Sequence, residues 1–179
     1  MTRTAIFLRG INLGRRRVAK DELMRPFVEA GFEGVQTFIA SGNVVIDDPG
    51  LEPDALEARV EAAVHDAFGF QADAFARSLD ALAHLVESEI LATAEADGLT
   101  PHAIFVKSVP GKQVTAALAE LETEDDRFPV LGREVLWLRR GRLSDSVVEP
   151  RHLERALGRA PNTMRKVTTL RRMIAKFGA

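Results

Sequence analysis

Extended runs and amphipathic helical runs alternate along this chain in an order that few folds accept. "RTAIFLRG" is short, β-rich and ended by Gly10. "AKDELMRPFVEAGF" sets Leu23, Phe27 and Val28 at helical spacing, with Gly31 placed to end the helix and Pro26 marking a kink or an irregular first turn. "VQTFIASGNVVIDD" is two extended runs around Ser41-Gly42-Asn43, the pattern of a β-hairpin. "EPDALEARVEAAVHDAFG" is the clearest helix: Pro53 lies near its start, Leu56, Val60, Val64 and Phe68 form one apolar stripe, and Gly69 closes it. "FQADAFAR" alternates weakly and predicts a closing strand. The resulting order, β-α-β-β-α-β, is that of a ferredoxin-like unit.

The second half repeats the theme. "SLDALAHLVESEIL" predicts a helix with Ser78 as its N-cap. "HAIFVKSV" then predicts a strand, "GKQVTAALAELET" a helix and "DRFPVLGREVLWLRRG" a hairpin turning at Gly132-Arg133. "EPRHLERALG" predicts a short helix, and "NTMRKVTTLRRMIAKF" a final helix from about Thr163 with Thr163 as its N-cap. The expected fold class is therefore α+β: a ferredoxin-like βαββαβ unit, a second related βαββα unit and a C-terminal helix. The boundary falls in "EADGLTP", giving subdomains 1–95 and 96–179.

Composition narrows the function classes. The absence of cysteine excludes disulfides, thiol nucleophiles and zinc-thiolate sites. His65, His84, His102 and His152 share no metal-ligand spacing, so no metal is expected, and no cofactor motif or G-x-S-x-G context is present. The N-terminal apolar run is too short for a signal peptide or a membrane span, so a cytoplasmic protein without a membrane partner is expected. The net charge of −2 conceals an uneven distribution. Arg3, Arg9, Arg15, Arg16 and Arg17 open the chain with no acid among them, and Arg165, Lys166, Arg171, Arg172 and Lys176 close it in the same way.

Strand directions in a βαββαβ unit put the first β–α loop, the hairpin turn and the last α–β loop at one end of the sheet. Here these are "RGINLG", "SGN" and "FGF". The expected site is that rim. Gly10 and Gly14 let the backbone turn and expose N–H groups, and the following helix is expected to point its N-terminus there. Arg9 and Arg15 offer planar donor forks, while Asn12, Ser41 and Asn43, with Gly42 between the last two, offer neutral donors. Arg165, in the first turn of the expected C-terminal helix, is a further candidate. The same residues also suit ordinary turns with a solvated rim, and the spacing matches neither dinucleotide nor P-loop fingerprints. Trp137 and the basic stretch 139–142 read as core packing and a solvated turn.

"LRGINLG" followed by "FIASGNVVI" resembles the bacterial family of unknown function DUF1697, whose members show LLRGINVGG and then YIQSGNVVF at similar spacing. "TMRKVTTLRRM" is similar to that family's closing motif, T-x-R-N-W-N-T-hydrophobic-x-K-L. The resemblance implies an α+β fold with a ferredoxin-like part. It also implies a site at Arg9, Gly10, Ile11, Asn12 and Gly14, at Ser41, Gly42, Asn43 and Val44, and at Thr163, Arg165, Thr169 and Arg172. Two departures stand out. Arg15-Arg16-Arg17 replaces a Gly-Lys stretch, and Lys166-Val167 replaces Asn-Trp, so any ligand contact made by that pair is lost or altered here.

These features point first to binding of an anionic ligand, either a phosphate-containing small molecule or nucleic acid. A protein–protein interaction module is the alternative. A phosphoryl or acyl-phosphate hydrolase is a third reading, by analogy with acylphosphatases of the same topology. Base stacking in the manner of RNA-recognition modules is disfavoured, because the central strands offer only Phe7.

Overall fold

The computed structural model of the chain describes residues 2–14, 17–39 and 42–178. By contacts it divides into a first unit, Met1–Ala83 with Arg172–Ala179, and a second, His84–Arg171. Residues 84–95, assigned to the first subdomain from the sequence, thus group with the second unit, and the C-terminal residues group with the first.

The first unit runs β1 (Arg3–Arg9), α1 (Lys20–Glu29), β2 (Gln36–Thr37), β3 (Asn43–Asp47), α2 (Pro53–Phe68) and β4 (Asp73–Ser78). Its antiparallel sheet has the order β2-β3-β1-β4. Strand alternation sorts the side chains. Ile6, Leu8, Val44, Ile46, Ala74 and Ala76 form one core with Leu23 and Phe27 of α1 and Leu56, Val60 and Val64 of α2. Ala5, Phe7, Val45 and Phe75 are fully buried as well, so this sheet hides both faces.

The edge strand β4 is shielded by helix side chains. Glu57 and Glu61, one turn apart on α2, accept the N–H groups of Ala76 and Ala74, each at 2.8 Å. A carboxylate on an edge N–H blocks pairing with a foreign strand. Glu57 and Arg77, both buried, also approach within 3.5 Å.

Helix α3 (Leu79–Val86) follows β4 without a break, and the Ser78 hydroxyl accepts the Ala81 N–H as a cap should. The helix expected over 78–91 is interrupted at Glu87-Ser88, and α4 (Glu89–Ala96) restarts with Leu91 and Ala92 donating to the Ser88 carbonyl. Then come β5 (Leu99–Val106), α5 (Lys112–Ala119), β6 (Asp126–Arg127), β7 (Val130–Leu131) and β8 (Glu134–Arg140). A 3-10 turn (Leu143–Asp145), α6 (Pro150–Ala156), β9 (Asn162–Lys166) and α7 (Val167–Phe177) complete the chain.

The second sheet has the order β6-β8-β5-β9, with β7 also on β8. Counting β6 and β7 as one interrupted strand, it repeats the arrangement of the first unit. This corrects the expected C-terminal helix from Thr163. Asn162–Lys166 is a strand, registered on β5 from His102↔Lys166 to Val106↔Asn162, and α7 starts at Val167. The apolar helical spacing from Met164 onward is real but incomplete as a guide, because β5 would otherwise keep an unpaired row of N–H and C=O groups. The second unit is therefore βαββαβ followed by a helix. Among the described residues no helix is long and apolar enough to cross a membrane.

Candidate functional site

Pairing sets what lies together at the exit of β1. Phe7 stands opposite Asn43, Arg9 stands opposite Asp73, and the Leu8 N–H donates to the Gly42 carbonyl at 2.7 Å. Gly10 adopts φ +90°, a conformation open to glycine and strained for other residues. The position a Cβ would occupy there lies 3.5 Å from the Gln71 carbonyl, 3.8 Å from Ala72 Cα and 3.9 Å from Leu13 Cδ1. The β1–α1 loop, the start of β3 and the α2–β4 loop therefore meet at one end of the first sheet. Phe70, beside Gln71, stacks on Phe68 at 5.7 Å.

The asparagines serve the loops. Asn12 accepts the Val18 N–H on Oδ1 at 2.8 Å, which folds the loop back toward α1. Asn43 is buried, and its Nδ2 donates to the Phe38 carbonyl at 3.2 Å while Phe38 N–H donates to the Asn43 carbonyl. It closes the turn instead of facing solvent. Arg17, exposed, donates to the carbonyl of Gly14, itself at φ +60°. Arg9 is partly buried at the strand end. Arg15 and Ser41, both expected at this rim, lie outside the described residues.

The expected help from the α1 N-terminus is weak. The helix starts only at Lys20, its first turn carries Asp21 and Glu22, and Glu22 accepts the Ala19 N–H at 3.0 Å. Its own acids already answer the positive end of the helix.

Thr163 and Arg165 belong to the second unit and sit on β9, not in a helical first turn. Thr163 is buried and caps no helix; its Oγ1 accepts Arg165 Nη1 at 2.7 Å. Arg165 Nη1 also donates to the Met164 carbonyl at 2.8 Å, and burial pushes the Arg165 pKa down to about 10, still cationic at neutral pH. These contacts make it a brace of the β9 backbone.

The rim carries features that sequence reasoning passed over. Leu13 is 60% exposed and Ile39 is 42% exposed, although both are large aliphatics. Ile39 adopts φ +56°, which strains a β-branched residue. Gln71 brings its backbone carbonyl to Gly10, and Asp73 is the register partner of Arg9. Leu13 was legible as an apolar residue in a glycine-spaced loop. The other three gain meaning only through strand register.

The described cavities lie elsewhere, in the second unit and between α1 and α2. One of about 400 Å³ is lined by Ile90, Leu99 and Leu138 together with Glu89, Asp97 and Arg127. Another of about 420 Å³ lies against Trp137, Ser146, Leu153 and Met164. A smaller one of about 320 Å³ includes Arg25, Glu29 and Asp66. Size alone does not outweigh chemistry here, because none of the three combines a cation with glycine-turned backbone. No group of histidine and acidic side chains suited to a metal ion occurs among the described residues.

A family model described as "Protein of unknown function (DUF1697)" matches residues 1–136. The chain belongs to this family. Both glycine-asparagine motifs of the rim fall inside the matched segment, whereas Thr163 and Arg165 fall outside it. The fold is similar to that of a solved structure, conserved bacterial protein SP0830 from Streptococcus pneumoniae. The TM-score is 0.75 at 23% identity, covering 100% of this chain and 99% of the other. That likeness extends over both units and concerns the fold alone. No curated protein matches the chain.

Proposed function

We propose that this protein binds a phosphate-bearing anion, carried by a small molecule or a nucleic acid, at the end of the first sheet where the β1–α1 loop, β3 and the α2–β4 loop converge. Arg9, Gly10, Asn12, Gly14 and Gly42 are the described members of that site, and Arg15 and Ser41 are its expected neighbours. The observation that carries the reading is the meeting of Gly10 with Gln71–Ala72 and of Leu8 with Gly42, where β1 ends at Arg9. The strand order supports treating this unit as ferredoxin-like, and the lack of cysteine is in keeping with a cytoplasmic protein. The test is calorimetric titration with inorganic phosphate and pyrophosphate, repeated on Arg9→Gln. Binding that weakens about tenfold or more on losing one charge-assisted contact supports the site. Equal binding by the variant removes it. If a nucleic acid is the ligand, its affinity must fall steeply with added salt.

An interaction module is the second reading, favoured by the exposed Leu13 and Ile39. Concentration-dependent mass in light scattering would support it. The hydrolase reading loses ground. Asn43 is committed to Phe38, and the Asn12 oxygen to Val18, so neither is spare to position an attacking water.

A further inference from the structure

Building on the anion reading, we propose that the rim of the first unit is a mononucleotide site in which the phosphate meets Arg9, the ribose meets Asp73 and the base lies against Leu13 beside Gln71.

Three observations narrow the anion to this class. First, a carboxylate faces the cation: Asp73 stands directly across from Arg9 in the β1–β4 register. A negative group there weakens bare phosphate and every polyphosphate track, but it is the natural acceptor for a pair of sugar hydroxyls. Second, apolar surface is left uncovered at the same place. Leu13 is 60% exposed, and its Cδ1 shares the Gly10 surroundings with the Gln71 carbonyl and Ala72 Cα. A ligand that was only an anion would have no use for an aliphatic face, whereas a purine or pyrimidine has two such faces to cover. Third, the Gln71 side chain is exposed, and among the described residues its Nε2 makes a long 3.4 Å contact with His65 Nδ1. An amide offers both a donor and an acceptor, the pair that a base edge requires. The distribution of charge argues against a longer nucleic acid. Asp21 and Glu22 open α1, Asp73 lies in the sheet, and the whole chain is net negative, a balance unlike the basic groove that tracks a strand of nucleic acid.

Calorimetry with four probes separates the possibilities: inorganic phosphate, ribose 5-phosphate, the ribonucleoside monophosphates and an eight-nucleotide RNA. The expected ranking is monophosphate tightest, by about tenfold over ribose 5-phosphate, with inorganic phosphate weakest. Leu13→Ser should bring the monophosphate down to the ribose 5-phosphate level and leave inorganic phosphate unmoved. Asp73→Asn should narrow the gap between ribose 5-phosphate and inorganic phosphate. Leu13 is exposed, so an unchanged thermal midpoint confirms that its variant is folded. Inorganic phosphate binding as tightly as the monophosphates overturns the nucleotide class and leaves the anion reading standing. RNA binding tighter than any monophosphate, with a steep salt dependence, overturns it in favour of a polynucleotide. Failure of every probe to bind overturns both.

Discussion

Replacing Asp126 with alanine should unfold the second unit at far lower denaturant. Asp126 is 0% exposed, and its two oxygens gather partners from four places. Trp137 Nε1 donates to Oδ1 at 2.7 Å, Arg139 Nη1 to Oδ2 at 2.8 Å and Thr123 Oγ1 to Oδ2 at 3.0 Å, while Ser146 Oγ sits 3.0 Å from both oxygens. Arg139 is 6% exposed, so the alanine variant leaves a buried guanidinium with a long 3.4 Å bond from Nε to the Arg142 carbonyl and with Asp125, 3.8 Å away and half-exposed, as its one nearby carboxylate among the described residues. Breaking a buried pair from one side costs about 3–5 kcal/mol. The stranded indole N–H costs about 1–3 kcal/mol more, with overlap between the two because they share one carboxylate. About 4 kcal/mol is a reasonable total, and with a urea slope of about 1–2 kcal/mol/M it lowers the midpoint by about 2–4 M. Trp137 is the sole tryptophan and lies in this unit, so its fluorescence follows the right transition. Asp126→Leu combined with Arg139→Met should recover most of the loss, since the buried charge disappears with its partner. A midpoint shift below about 0.5 M for Asp126→Ala would refute the view that this carboxylate organises the unit.

Two further outcomes follow from buried groups. His102 is 5% exposed on β5, its Nδ1 has no partner, and burial holds its pKa below the ordinary 6.5, with Lys166 opposite adding to the effect. A histidine whose folded pKa is depressed binds fewer protons folded than unfolded. Its contribution is therefore whole above 6.5 and declines as pH falls from there toward the folded value. Urea midpoints measured across that window should drop for the native chain and drop less for His102→Gln; parallel slopes would count against the assignment. In the first unit, Glu57→Ala removes the acceptor of the Ala76 N–H and leaves Arg77, 6% exposed, without its carboxylate. Stability should fall by about 3 kcal/mol, and amide exchange at Ala76 should accelerate more than at Phe75, whose position on β4 faces Phe7 of β1. Uniform acceleration along β4 would mean that the helix carboxylate is not the edge cover proposed.

Much of the architecture was legible before any coordinates. The stripe from Leu56 to Phe68, the Gly69 stop and the β-rich run before Gly10 each depend on neighbours within a few residues, and local spacing reports such neighbours faithfully. The same strand directions also brought the "RGINLG" segment and the Gly42-Asn43 pair to one end of the first sheet, because antiparallel connectivity leaves no other arrangement. What escaped notice had distant causes. The stretch from Thr163 to Lys166 reads as the start of a helix by its own spacing and is strand because β5 offers it a ladder. Asn43 looks like an exposed turn donor and is buried because Phe38 folds back onto it. Asp126 is one acid among several in "TEDD", and only assembly of β6 beside β8 puts Trp137 and Arg139 on its oxygens. Hydrophobic period and glycine conformation are properties of a short stretch of chain, so the sequence alone determined them. Strand partners and the fate of a buried charge depend on atoms far away along the chain, so only the tertiary structure could decide them.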